Sequence, residues 1–348
     1  MKIIDNGPAP RPAAATPQWQ LTFTWIFCGA EGLRTGWKVL LFIGIMAVFY
    51  LASQLLLDRI APVPAGGTPS LHVQLIRRSV YALLVVADVW IMARIEGRPL
   101  RAYGYAGKGA LTWLLSGAGW SFLGMSALVG ALWLRGSLVF DGLALDGLSA
   151  CWDAAATFVV CLLVGLMEEP QLRGHLQFTL ARALGFWWAA MILSAAFGVG
   201  HIHNRRETLP GVLSIGASGL FCLSLWYTKS LYWAIGFHAA WDWAQEYFYG
   251  NSGNNLAPHL LSTHPVGDPL WSGGSGGPEA SNLLLPLLLL LLVGMVGPRQ
   301  AGARLARGMA FIAPLASFPC PENNAPSNPE LRPGSRRRSR RPAARRLM

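Results

Sequence analysis

Charge is what this sequence has least of. Only 13% of its 348 residues are Asp, Glu, Lys or Arg, against about a quarter in a soluble domain. That excludes an ordinary water-solvated globule. Acids are scarcer still, with 17 Asp and Glu against 28 Lys and Arg. The five cysteines (Cys28, Cys151, Cys161, Cys222, Cys320) form no CxxC and no even framework, so neither a disulfide scaffold nor a zinc ribbon follows. HExxH is missing, and with it the usual soluble zinc-site signature. No internal repeat is visible, which counts against a transporter built from duplicated halves.

What the chain does have is apolar length. It is 53% hydrophobic, with a mean hydropathy of +0.38. The expected fold class is all-α, a polytopic transmembrane helical bundle of about eight spans, at residues 39–57, 79–95, 111–134, 150–167, 187–203, 209–227, 231–249 and 281–297. Several are shorter than the ~20 residues a bilayer asks for. The expected plan is an N-terminal arm at 1–36, a membrane domain at 37–298 with its motif core at 150–250, and a tail at 299–348. Residues 1–20 are polar and rich in Pro and Ala, so no cleavable signal is expected and the first span directs insertion.

The formal charge of +11 belongs mostly to that tail, where residues 299–348 hold eleven Arg and two acids. "RPGSRRRSRRPAARRLM" cannot build a packed core and is expected to be disordered. Beside a membrane domain it suits anionic lipid at the cytoplasmic face, and no specific nucleic acid is expected. Lys and Arg in short loops set orientation. Lys38, Arg94, Arg98, Arg101 and the tail favour a multi-pass cell-membrane protein with both termini cytoplasmic. Residues 250–280, without Lys or Arg, read as an outer loop. Arg59, Arg77, Arg78, Arg205 and Arg206 oppose this assignment.

Chemistry concentrates in three places. "GLMEEPQLRGH" (165–175) sets two carboxylates, an Arg and a His at the end of an apolar run. On a continuing helix Glu169 and Arg173 are four apart and share a face, while Glu168 points about 100° away. One carboxylate is then paired and the other free. Pro170 predicts a kink. Acids meeting water at a span end would give the same composition, so the stretch alone does not decide.

"SAAFGVGHIHN" places His201 and His203 after small residues that permit close helix approach. His203, followed by Asn204, Arg205 and Arg206, reads as the interfacial one. "IGFHAAWDWAQ" sets His238 and Asp242 one turn apart, which suits two metal ligands, a ligand with its orienting partner, or a plain hydrogen bond. Ionisable groups inside spans are rare and by default mark a functional interior. The other spans hold nothing comparable except Asp88. A base, imidazoles that activate water or bind metal, and an oxyanion stabiliser together form the parts of a hydrolase.

In order, "EEPQLR" (Glu168 to Arg173), "FGVGH" (Phe197 to His201) and "HAAWD" (His238 to Asp242) resemble the CPBP family of intramembrane proteases. That family includes the type II CaaX-prenyl endopeptidases and bacteriocin-processing relatives. The resemblance covers about residues 79–297. Leu172 stands where the family often has Phe, and Asp242 where Asn is common. The resemblance implies an intramembrane endopeptidase acting on membrane-associated or prenylated protein or peptide substrates. Glu168 would activate water with help from His201, and Glu169 would orient the site through Arg173. His238 and Asp242 would stabilise the oxyanion or, with His201, hold a divalent metal such as zinc. An ionised Asp242 repels an oxyanion, which favours a metal there or an orienting role toward His238. Two other readings stay open: a non-catalytic scaffold or immunity protein of the same family, and a proton-coupled transporter relaying through Asp88, Glu168, His201 and Asp242.

For Glu168 to meet the histidines it must lie at depth. A helix over 153–184 would be ~48 Å long, longer than the ~30 Å hydrocarbon core. It must therefore protrude, tilt or kink.

Overall fold

The computed structural model describes residues 26–29, 32–64, 67, 69–105, 109–200, 208–251 and 258–296. His201, His203, most of the N-terminal arm and the whole basic tail lie outside the described residues.

Helices dominate: α1 (Thr35–Ile60), α2 (Leu71–Ile95), α3 (Ala110–Leu134), α4 (Gly147–Glu169), α5 (Gln177–Leu184), α6 (Phe186–Gly200), α7 (Thr208–Thr228), α8 (Tyr232–Trp243) and α9 (Leu284–Val296). Two small antiparallel pairs accompany them, β1 (Cys28–Gly29) with β2 (Gly32–Leu33), and β3 (Leu138–Leu143) with β4 (Leu261–Pro265). Cys28 is disulfide-bonded, whereas Cys151, Cys161 and Cys222 are free thiols.

The described part of each of the eight apolar runs is mainly helical, but only three helical stretches among the described residues are long and apolar enough to cross a membrane by length and composition: Thr35–Ile60, Ala110–Leu134 and Gly147–Leu184. Helix α1 keeps Leu40, Ile43, Val48, Leu51, Leu55 and Leu56 exposed, an apolar surface suited to lipid. Residues 250–280 are more than a loop. They supply β4, whose pairing with β3 joins the ends of α3 and α8.

Helix α8 is the axis. It is apolar nearly all round, as a fully enclosed helix must be, and Trp233 to Trp241 are all buried. Glycines set its depth: a Cβ on Gly117 of α3 would overlap the Trp233 carbonyl, and one on Gly236 would overlap the Leu114 carbonyl. Backbones therefore touch where α3 crosses α8. Helix α4 flanks α8 on another side through Gly165, where an added Cβ would meet the Ile235 oxygen at 3.0 Å. Helix α2 covers α4 in turn.

The expected kink is present but falls four residues after Pro170, which itself keeps helical dihedrals. The chain widens into a π-helical stretch, Pro170–Leu176, and breaks helical geometry inside it at Gly174 (φ −84°, ψ −111°). Proline cannot donate to the preceding turn, and the extra residue is absorbed as a π turn, a distortion common at functional sites. Beyond it His175 reaches Glu96 at 2.8 Å.

Glu96, at the C-terminus of α2, gathers His175, Lys38 (3.5 Å), Arg98 (3.6 Å) and Arg182 (2.7 Å). Burial alone would raise its carboxyl, but the His175 hydrogen bond and the Arg182 and Lys38 charges outweigh that and hold it down to about 2. At the opposite end of α2, Arg77 pairs with Asp58 at 3.1 Å and bonds Gln54 and the Ala61 carbonyl. Arg77 is thus a neutralised charge, which removes part of its conflict with the orientation rule.

Candidate active site

Three elements converge on His238. From the last turn of α4 comes Glu169, whose Oε1 lies 2.9 Å from His238 Nδ1. Arg173, on the π-helical stretch, donates to the same oxygen at 3.2 Å. From α8 itself comes Asp242, with Oδ2 3.6 Å from His238 Nε2. Glu168 Oε2 lies 3.9 Å from that nitrogen. The site thus joins Glu168, Glu169, Arg173, His238 and Asp242. Asp88 is not among them: it is fully buried in α2, and neither carboxyl oxygen has a hydrogen-bond partner among the described residues.

The two adjacent carboxylates divide sharply. Glu169 and Arg173 are wholly enclosed, whereas the Glu168 side chain keeps 34% of its surface. The division follows from 3.6 residues per turn: one side chain faces α8, and its neighbour faces a cavity between α1, α2, α4 and α6. That cavity is about 520 Å³, and Glu168, Gln171 and Arg78 contribute polar groups to it.

A buried guanidinium needs more than one partner. Arg173 donates to Ser218 Oγ of α7 at 2.6 Å, and Ser218 donates to Ser194 Oγ of α6 at 2.9 Å. Its carbon also sits 4.5 Å from the Phe197 ring centre and 5.0 Å from that of Phe221, the geometry of cation–π attraction. Phe221 then stacks on the His238 ring at 5.8 Å. Arg173 therefore ties α4, α6 and α7 to the histidine. Ser194, Ser218 and Phe221 escaped the sequence reading because a lone Ser or Phe on an apolar helix carries no distinguishing spacing. Phe197 carried a signal, four residues before His201.

With Glu169 ionised against Arg173, His238 Nδ1 must hold the proton they share. Nε2 is then turned toward Glu168 and Asp242. One water oxygen can lie within hydrogen-bond reach of both Nε2 and Glu168 across 3.9 Å. This arrangement can polarise water and take up its proton.

Residues 150–244 match the family model described as Type II CAAX prenyl endopeptidase Rce1-like. The family resemblance therefore holds for that segment. It contains Glu168, Glu169, Arg173, His201, His238 and Asp242. No curated protein and no solved structure is matched.

A metal set of His201, His238 and Asp242 is expected from the resemblance. His201 lies outside the described residues, and no group of three His, Cys, Asp or Glu among the described residues is placed to hold a metal ion. His238 bonded to a carboxylate through Nδ1 is the usual way of orienting a ligand imidazole.

Proposed function

We propose that the protein is an intramembrane endopeptidase of the CAAX type, hydrolysing a peptide bond in a membrane-associated or prenylated substrate. The observation that carries this reading is the split pair: Glu169 fixed to Arg173 and His238, and Glu168 open to the cavity. Glu168 takes a proton from water as the oxygen adds to the scissile carbonyl carbon. The carbonyl π bond becomes an oxyanion, stabilised by His238 Nε2–H when the ring is protonated. Collapse expels the amine, which receives its proton from Glu168. Glu169 and Arg173 are positioning residues that hold the imidazole. Asp242 orients His238 from the other side. His201 is assigned to water activation on the family resemblance alone.

The same reading makes the eight apolar helices a multi-pass bundle in the lipid bilayer of the cell membrane. The Lys38, Arg98 and Arg182 end faces the cytoplasm with both termini, and the Arg tail lies against anionic lipid. A zinc-like divalent ion on His201, His238 and Asp242 is a separate part of the proposal, and a chelator decides it.

The test is cleavage of farnesylated C-terminal peptides by purified full-length protein in detergent, wild type beside Glu168→Gln, with and without chelator. Cleavage that disappears in the variant supports the reading. A folded wild type that cleaves nothing, in either arm, moves the protein to the non-catalytic reading.

A further inference from the structure

The cavity beside Glu168 contains a second charge that the reaction does not use. Arg78, in the second turn of α2, lines it. Among the described residues Arg78 makes no hydrogen bond or ion pair. It acts on Glu246 only through space. Its neighbour Arg77 is, by contrast, fully engaged with Asp58, Gln54 and the Ala61 carbonyl. The two arginines thus differ in kind: one locks α1 to α2, and the other is turned into the cavity.

A cation in an apolar helix without an ion-pair partner is costly and marks a functional interior. Guanidinium is the side chain whose planar fork fits a carboxylate through two parallel bonds. Around it the lining is mixed. The phenols of Tyr50 and Tyr81, stacked at 5.8 Å, and the Gln171 amide add hydrogen-bonding groups, and the remaining lining is apolar apart from Glu168. At about 520 Å³, the volume suits a short peptide rather than a folded partner. Glu168 and Arg78 share the cavity without pairing with each other, so an occupant can lie between them.

We infer that Arg78 is a specificity-determining residue that binds the free C-terminal carboxylate of the substrate, while the scissile bond lies at Glu168. This rests on the peptidase reading above. The released product is then a short, largely apolar peptide ending in the original carboxylate. A lipid phosphate could engage the same guanidinium, but the carboxylate is favoured because the cavity is shared with the base that attacks the peptide.

The experiment compares a fluorescent farnesylated peptide with a free C-terminal acid and its C-terminal carboxamide twin. Full-length wild type, Arg78→Gln and Arg78→Lys are assayed in neutral detergent, with and without added phosphatidylglycerol. The expected result is a kcat/KM ratio of acid to amide of about tenfold or more in wild type, the worth of one charged hydrogen-bonded contact. It falls toward one in Arg78→Gln and is partly restored in Arg78→Lys. Equal cleavage of the twins by wild type, or a parallel loss of both in Arg78→Gln, would overturn the inference. So would an acid preference erased by phosphatidylglycerol in wild type alone, which would assign Arg78 to lipid. If wild type cleaves neither twin, the peptidase reading fails separately. Binding of the twins to Glu168→Gln and to the Arg78→Gln/Glu168→Gln double variant then decides: acid-selective binding lost in the double variant sustains the inference, and equal or absent binding of both ends it.

Discussion

His238 Nδ1 and Glu169 Oε1 lie 2.9 Å apart although 69 residues separate them in the chain. Glu169 shares that oxygen with Arg173, so one carboxylate fixes a ring on α8 and a guanidinium beyond α4. The neighbouring Glu168 is left out of that network and keeps 34% of its side-chain surface toward the cavity.

Glu168→Gln and Glu169→Gln should therefore fail in different ways. Glu168→Gln should lower kcat by about 10²–10⁴-fold, the usual share of a general base, with little change in thermal unfolding. Glu169→Gln leaves Arg173 charged, enclosed and without its carboxylate, which should cost about 3 kcal/mol of stability as well as activity. Melting curves in detergent beside peptide hydrolysis separate the two. Equal stability losses in both variants would contradict the division of roles.

Backbone contact makes glycine a sharp test of the α8 axis. Gly236→Ala puts a methyl onto the Leu114 carbonyl, between two helices that cannot part without opening the core, whereas Gly119 on α3 has nothing within 4 Å of an added Cβ. Gly236→Ala should destabilise by about 3 kcal/mol, and Gly119→Ala should be neutral or stabilising by up to ~1 kcal/mol. Thermal unfolding of both variants checks the contrast.

Helical spacing made part of this site legible. The i, i+4 relations of Glu169 with Arg173 and of His238 with Asp242 need only the geometry of one helix, and 3.6 residues per turn separates Glu168 from its neighbour. Nothing local reports which helices meet. The Ser218 and Ser194 relay behind Arg173, the Phe221 ring on His238 and the Glu96 cluster all depend on contacts between distant segments. Pro170 announces the kink but neither its place at Gly174 nor the π stretch around it, because a proline signals a disturbed turn without fixing how the chain absorbs it. The β3–β4 pairing was hidden in residues read as loop, since short strands beside apolar helices leave little pattern.

Glu96 gives a pH test. Its folded-state carboxyl lies near 2, below the ordinary 4.5, so its contribution is fully present above the unfolded value and is lost as pH falls from about 4.5 toward 2. Converted by linkage, the shift is worth about 3 kcal/mol. Wild type should lose stability across that window, and Glu96→Gln should start lower at pH 7 and lose less on acidification. Unfolding measured at pH 7, 5 and 3 in one detergent checks it. Parallel pH profiles for the two proteins would show that the Glu96 cluster contributes no such linkage.

Asp88 tests whether a proton path runs through the bundle. It is fully buried, both its oxygens lack partners among the described residues, and it is no part of the His238 cluster. A carboxyl in that position costs folding energy whether or not it is ionised. Asp88→Leu should therefore stabilise the protein by about 1–3 kcal/mol and leave peptide hydrolysis within a few-fold of wild type. A relay through α2 demands the opposite, because no leucine can carry a proton. Loss of activity with a raised melting temperature would place Asp88 in the chemistry, whereas retained activity with raised stability confines the reaction to the Glu168 side of the bundle.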